Sequence, residues 1–277
     1  YFSLQYGDNA DRVRRWHQQA TGVGVRIAVI DTGIDRKHPN LHSRIAFSDN
    51  FVGDKTFDSD IHGTAVAGII AASVASNGAT GLAPDASLLA LKACWPQQPD
   101  ALPAHCNSFT LAKAVTSALE RHADIINLSL SGPRDALLAS LLNIALRQHV
   151  LVIAAQHAAD DFPASLPGVI AVSEGQAHGQ IAWVTQGTLH VEAEAEDLLS
   201  TRPGGGFDFF SGSSMATARI SGLAALIRQH QPSLTAGDAM QGIALLQQMP
   251  FTQNGLSTMV ETYPMAKHND GSSTRNW

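Results

Sequence analysis

Residues 209–218 (FFSGSSMATA) contain a serine whose setting suits it to act as a nucleophile. An apolar run ends there in small, turn-forming residues. A helical pattern follows, with apolar residues on one face at Ala216, Ile220, Leu223, Ala224 and Ile227. Ser214 is therefore predicted in the first turn of a buried helix, where free backbone N–H groups and the helix dipole stabilise a developing oxyanion. The same pattern is also typical of an ordinary Ser-rich helix start.

Two other residues could complete this chemistry, because serine is a weak nucleophile without an adjacent base. The run Val25–Ile30 predicts a strand buried on both faces, and Asp31 follows at its carboxyl end, where sites collect in open α/β sheets. His62 stands at the start of a predicted helix of small residues. His62 could take the Ser214 proton while Asp31 orients the imidazole. Individually, Asp31 also fits a turn former and His62 a polar helix end.

The motifs around these residues resemble the signatures of the subtilisin-like serine proteases (subtilases), in the family's order. They read Asp-Thr-Gly at Asp31, His-Gly-Thr at His62 and Gly-Ser-Ser-Met-Ala around Ser214. The resemblance implies an α/β fold, a three-layer sandwich with a mainly parallel central sheet flanked by helices. The alternating strand and helix patterns agree with it. We expect a peptidase domain over 1–249 and an irregular tail over 250–277.

The resemblance implies a serine endopeptidase that forms an acyl-enzyme on Ser214. An extended peptide or protein substrate would pair with an edge formed by Ser129, Leu130, Ser131 and Gly132. A degenerate subtilase that binds peptides with little turnover is the alternative. Acyl transfer to an amine, by ligation or cyclisation, would use the same intermediate, and the product mass would distinguish it from hydrolysis.

Departures from the family pattern concern the oxyanion donor. Most subtilases end the relevant strand with Ala-Ala-Gly-Asn, and this chain has Gln156 and His157 at the last two positions. A ring N–H of His157 or the amide of Gln156 could donate, or neither side chain points inward. The backbone N–H of Ser214 remains in each case. Ser131 replaces a usual glycine and Ala218 a usual proline, which also motivates the binding-module alternative.

The two cysteines, Cys94 and Cys106, flank a Pro-rich loop. A disulfide there would stabilise the fold by about 3 kcal/mol in the chain-entropy estimate and would indicate a secreted or periplasmic protein. Two free thiols are an alternative, whereas a metal site with His105 has too few ligands. Residues Asn40 and Ala75 stand where many subtilases hold calcium and weaken that site, so we expect no tight metal there and no cofactor.

Composition narrows the class of protein. With 44% hydrophobic and 15% charged residues the chain reads as a compact globule, and its net charge of −6, without a dense Lys/Arg patch, argues against nucleic acid as a partner. No apolar run reaches membrane-spanning length, so no membrane insertion is expected. The opening residues do not resemble a signal peptide and fit a processed chain, from which a pro-segment could have been cleaved.

The remaining patterns predict the elements that position the site. Strands are expected over 87–92, 125–130 and 150–155, and helices over 108–122, 134–148 and 234–246. Residues 42–60 are expected to be irregular.

Overall fold

The computed structural model describes residues 2–53, 59–74, 78–96, 104–175, 182–184 and 189–248. Within them, one eight-stranded sheet has the order β2-β3-β1-β6-β7-β8-β10-β9. Its strands are β1 (Arg26–Asp31), β2 (Ile45–Asn50), β3 (Ser87–Lys92), β6 (Ile125–Leu128), β7 (Leu151–Ala155), β8 (Ile170–Glu174), β9 (Ala182–Val184) and β10 (His190–Ala193). Neighbouring strands are parallel except β9, which pairs antiparallel with β10.

Helices and two hairpins surround this sheet. The helices are α1 (Phe2–Tyr6), α2 (Ala10–Gln19), α3 (Ile61–Ala71), α4 (Ser108–Glu120), α5 (Ala136–Arg147), α6 (Ser213–His230) and α7 (Ala236–Gln248), with a 3-10 turn at Gly7–Asn9. The hairpins join β4 (Cys94–Pro96) to β5 (Ala104–Cys106) and β11 (Leu198–Arg202) to β12 (Gly206–Phe210).

The layers follow from the alternation of side chains along each strand. In β1, Ile27 and Val29 pack in a cluster with apolar residues of α2, α3, α6 and α7. The residues between and after them, Ala28 and Ile30, pack in a second cluster with α4 and α5. Because successive side chains of a strand point to opposite faces, an apolar run buries both faces of the sheet. The chain is thus a three-layer α/β sandwich, as the sequence predicts.

Most predicted elements are confirmed, including β3, α4, α5 and α7, with ends shifted by a few residues. The expectation that 42–60 is irregular is wrong, because the segment contains β2. This edge strand pairs only with β3 and is largely half-buried or exposed, so its sequence carries polar residues and no continuous apolar run. The strand predicted over 125–130 ends at Leu128.

The tail over 250–277 lies outside the described residues, so the domain boundary at 249 stays a prediction. No helix in the described ranges is both long and apolar enough to cross a membrane.

Candidate active site

Three elements place the predicted site residues at one end of the sheet. Asp31 is the last residue of β1, and His62 and Ser214 are each the second residue of a helix, α3 and α6. All three side chains line one cleft of about 500 Å³. Gly212 precedes α6 with a φ of 125°, a conformation that glycine adopts without strain, and so allows the sharp entry that exposes Ser214 to the cleft.

The start of α3 lies directly against the turn after β1. A Cβ atom built on Gly63 would be 2.4 Å from the carbonyl oxygen of Gly33, so a larger residue would push helix and turn apart. Asp60 caps the helix by accepting the backbone N–H of His62 at 3.1 Å. The same carboxylate oxygen accepts the hydroxyl of Thr32 at 2.6 Å. These contacts fix His62 beside Asp31.

His62 and Asp31 form a hydrogen-bonded pair. The His62 Nδ1 atom is 2.7 Å from Oδ1 of Asp31, which also accepts the backbone N–H of Thr32 at 2.7 Å. Because the carboxylate favours the tautomer with a proton on Nδ1, Nε2 is left as the basic nitrogen. Burial opposes the charged imidazolium, but the charge and hydrogen bond of Asp31 and the charge of Asp60 outweigh it and raise the pKa of His62.

The hydroxyl of Ser214 donates to the carbonyl oxygen of Ser129 at 3.1 Å. In return, the hydroxyl of Ser129 donates to the carbonyl oxygen of Ser214 at 3.0 Å. No hydrogen bond between Ser214 and His62 occurs among those of the described residues. Proton transfer to His62 therefore needs a closer approach of the Ser214 hydroxyl than this structure shows, and such bonds often tighten only when substrate binds.

The predicted substrate edge follows β6. Ser129, Leu130, Ser131 and Gly132 all line the cleft. Gly132 and Phe162 exchange two backbone hydrogen bonds of 2.8 and 3.2 Å. Alternate residues of an extended segment direct their N–H and C=O groups to opposite sides, which predicts that those of Ser129 and Ser131 face away from Phe162. An edge of this kind, on which the Ser129 carbonyl accepts a side-chain hydroxyl from Ser214, suits pairing with an extended peptide.

The two alternatives for a side-chain oxyanion donor differ in position. The amide of Gln156 donates to the carbonyl of Ala159 at 3.3 Å, within its own loop. The Nε2 atom of His157 lies 3.1 Å from the hydroxyl oxygen of Ser213, the residue before Ser214. The carboxylate of Asp161 accepts the backbone N–H groups of Ala158 and His157, and these bonds lower the pKa of Asp161. The loop therefore brings His157, rather than Gln156, to the nucleophile segment. Neither residue is among those that line the cleft in the described part of the chain.

Cys94 and Cys106 are joined in a disulfide across the β4–β5 hairpin, as the sequence suggested. Residues from both strands of the hairpin line the cleft, among them Cys94, Ala104, His105 and Cys106. The disulfide thus ties one boundary of the cleft to β4. Residues 97–103 of the loop lie outside the described part of the chain.

Asn40, which the resemblance places at the calcium position of many subtilases, acts as a hydrogen-bond donor in this structure. The side-chain N–H groups of Asn40 donate to the carbonyl oxygens of Ser73 and Ala79 at 3.2 and 3.4 Å. Calcium binds oxygen ligands, so an amide nitrogen that already satisfies these carbonyls does not fit the ion. Ala75 lies outside the described residues, and within the described ones no group of three or more His, Cys, Asp or Glu could hold a metal.

Asp60 and Thr32 are the site residues that sequence reasoning missed. The signal for Asp60 was an acidic residue just before the predicted helix at His62, a position typical of an N-cap. Its bond to Thr32 joins residues 28 positions apart and has no local signal.

Comparisons with known proteins give the relatives of this chain. Residues 22–257 match the model of the subtilase family. An intracellular serine protease of Paenibacillus polymyxa is 36% identical over 232 residues, which cover 77% of this chain and 69% of that protein. Subtilisin E of Bacillus subtilis is 35% identical over 248 residues, which cover 84% of this chain but only 63% of its own length. A cold adapted subtilisin-like serine proteinase has a similar fold, with a TM-score of 0.66 and 24% identity over 80% of this chain and 81% of that one.

Proposed function

The chain belongs to the subtilase family of serine proteases, and we propose that it is an endopeptidase that hydrolyses peptide bonds through an acyl-enzyme on Ser214. The observation that carries the proposal is the His62–Asp31 pair, whose atoms are 2.7 Å apart in the cleft that Ser214 also lines. The pair leaves Nε2 of His62 as a base for the serine.

In this mechanism the Ser214 hydroxyl rotates from Ser129 to His62 and attacks the scissile carbonyl as His62 takes its proton. Asp31 stabilises the imidazolium, which then protonates the leaving amine. Water, activated by the same base, hydrolyses the ester bond of the acyl-enzyme and regenerates Ser214.

Two donors would stabilise the tetrahedral oxyanion, the backbone N–H of Ser214 and a ring N–H of His157. The approach of the His157 ring to Ser213 supports the second assignment, because it brings the imidazole to the residue before the nucleophile. The acyl side of an extended peptide would pair with Ser129, Leu130, Ser131 and Gly132.

We further propose that the protein is secreted or periplasmic, since the disulfide between Cys94 and Cys106 would persist in an oxidising compartment. A pro-segment cleaved during maturation would agree with this setting. The peptidase domain would span 1–249.

Labelling with a fluorophosphonate probe tests the proposal, because the probe reacts with an activated serine. We expect labelling of the chain as given and none of the Ser214→Ala variant. The product mass with a peptide substrate then separates hydrolysis from ligation.

The resting bond of Ser214 to Ser129 favours one second candidate, a peptide-binding module with little turnover. Saturable binding of a peptide by a folded chain that the probe does not label would identify that function and overturn the protease assignment.

A further inference from the structure

A series of three hydrogen bonds runs from the middle of α6 to the backbone of Ser214, and its first two bonds are buried while the third is partly buried. The hydroxyl of Ser221 donates to Oδ1 of Asn127 at 2.8 Å. The Nδ2 atom of Asn127 donates to the hydroxyl oxygen of Ser129 at 3.0 Å. That hydroxyl donates to the carbonyl of Ser214 at 3.0 Å. Ser221 and Asn127 are fully buried and Ser129 is 6% exposed, so water does not compete with the first two bonds.

The series of hydrogen bonds has a direction, because each group in it has a limited number of protons to donate. Ser221 gives its one hydroxyl proton to Asn127 and thereby fixes which end of the amide faces Ser129. The amide N–H then occupies a lone pair of the Ser129 hydroxyl. The single proton of Ser129 remains available for the carbonyl of Ser214.

We propose that Ser221 and Asn127 are positioning residues, which act through Ser129 to hold the backbone of Ser214 in place while its side chain rotates to His62. The inference rests on the proposed function of Ser214 as the nucleophile. Ser221 and Asn127 are both fully buried and neither lines the cleft, so neither touches substrate.

Loss of the Ser221 hydroxyl removes the group that orients the amide. The amide of Asn127 can then turn its oxygen toward Ser129, whose proton goes to that oxygen instead of the carbonyl of Ser214. The nucleophile loses a backbone anchor, and the reactive alignment, which is sensitive to small displacements, is populated less. The substrate edge keeps its backbone groups, so substrate binding changes little.

The experiment compares Ser221→Ala with the chain as given, using a peptide p-nitroanilide and rates per active site titrated with the fluorophosphonate probe. We expect kcat to fall roughly three- to tenfold and KM to stay within about twofold, the pattern of an interaction that acts at the chemical step. Ser221→Cys keeps the approximate size of the side chain and a weak donor, so its kcat should lie between those of Ser221→Ala and the chain as given.

Asn127→Asp tests the direction of this series of hydrogen bonds. The introduced carboxylate still accepts from Ser221 but has no N–H, so Ser129 must donate to it and away from Ser214. We expect a larger fall in kcat than for Ser221→Ala, with thermal unfolding showing that the variant is folded. Ser200→Ala is the matched control, because Ser200 is also fully buried and donates one hydrogen bond of 2.7 Å, to Ala65.

A Ser221→Ala variant with unchanged kcat overturns the inference while the proposed function stands. A fall of the same size in Ser200→Ala overturns it as well, since the effect would then be general loosening of the fold. A chain as given that is neither labelled nor active overturns the proposed function and this inference with it.

Discussion

Ser129 and Ser214 exchange two hydrogen bonds, one from each hydroxyl to the other residue's carbonyl oxygen, at 3.0 and 3.1 Å. The two bonds have different consequences for the proposed reaction. The bond from Ser129 holds the backbone of the nucleophile, whereas the bond from Ser214 holds its hydroxyl away from His62. The carbonyl of Ser129 is also a group of the predicted substrate edge, so the resting hydroxyl occupies a position that a peptide N–H would need.

Blocking that peptide N–H should therefore slow cleavage. The N–H nearest Ser214 belongs to the residue that carries the scissile carbonyl, and in an extended peptide it would pair with Ser129. We expect N-methylation of this amide to lower kcat/KM by about tenfold or more, comparable to one lost hydrogen bond near the reacting centre. Matched peptides with and without the methyl group, assayed by chromatography, measure the effect.

The control peptide carries the methyl group on the amide one residue earlier. That N–H points to the other side of an extended strand, so its methylation should change kcat/KM by less than about threefold. Equal losses for the two methylated peptides would contradict the pairing with Ser129.

The raised pKa of His62 sets the acid limb of activity. Only neutral His62 can accept the Ser214 proton, so kcat/KM should rise with pH through a midpoint above 6.5, the ordinary value for histidine. The same shift affects folding with the opposite sign. Charged His62 stabilises the folded chain below pH 6.5, and this contribution is lost as pH rises through the raised pKa. A pH profile of kcat/KM on the free enzyme measures the midpoint.

Asp60→Asn tests one cause of that shift. The variant keeps an oxygen for the N–H of His62 and the hydroxyl of Thr32 but removes the negative charge that raises the His62 pKa. We expect the acid limb to move to lower pH while the plateau rate changes little. An unmoved limb would show that Asp60 acts only as a helix cap.

His157→Ala should lower kcat with little change in KM, if the ring donates to the oxyanion as proposed. Loss of such a donor costs about 10²–10³ in rate in a related system, and we expect a fall of at least about tenfold here because the backbone N–H of Ser214 remains. Gln156→Ala is the control and should have little effect, since its amide bonds to its own loop. The direction of the change in kcat for His157→Asn is also informative. A large gain would mean that histidine stabilises the oxyanion poorly, and a loss would mean that His157 is itself the donor.

Reduction of the Cys94–Cys106 disulfide should weaken binding of long substrates. A dithiol converts it to two thiols and is itself oxidised to a cyclic disulfide, which frees the β4–β5 hairpin at one boundary of the cleft. We expect KM for an extended peptide to rise about three- to tenfold, since part of its binding energy then orders the hairpin. Steady-state kinetics before and after reduction measure the change.

A small ester that reaches only Ser214 is the matched substrate and should keep its KM. The double variant Cys94→Ala, Cys106→Ala should behave like the reduced chain and be insensitive to the dithiol. Equal losses for the ester and the peptide would place the effect on the whole fold instead.

The sequence predicted those site residues that lie in or beside apolar segments of the core. The apolar run before Asp31 and the small-residue helices at His62 and Ser214 need the core to form, so their patterns predicted these elements. The association of the three residues was implied by the family resemblance, and the structure places all three along one cleft. Strand β2 was not predicted, because an edge strand buries few of its side chains and therefore has no apolar pattern. The hydrogen bond from Ser221 to Asn127 was not predicted, because it joins residues 94 positions apart and a buried serine in a helix has no distinct sequence pattern.

Asn40 should make the carbonyl groups of Ser73 and Ala79 independent of metal, because its amide N–H groups already satisfy both. We expect EDTA to leave the Tm of the chain as given unchanged. Asn40→Asp replaces the donors by oxygens that face carbonyl oxygens, and should lower the free energy of unfolding by about 1–3 kcal/mol. Added calcium should raise the Tm of this variant alone, because the ion would then have oxygen ligands. Asn40→Ala, which loses the donors without adding a charge, should be destabilised but unresponsive to calcium. A fall in the Tm of the chain as given on chelation would show instead that a bound cation, and not Asn40, holds these carbonyls.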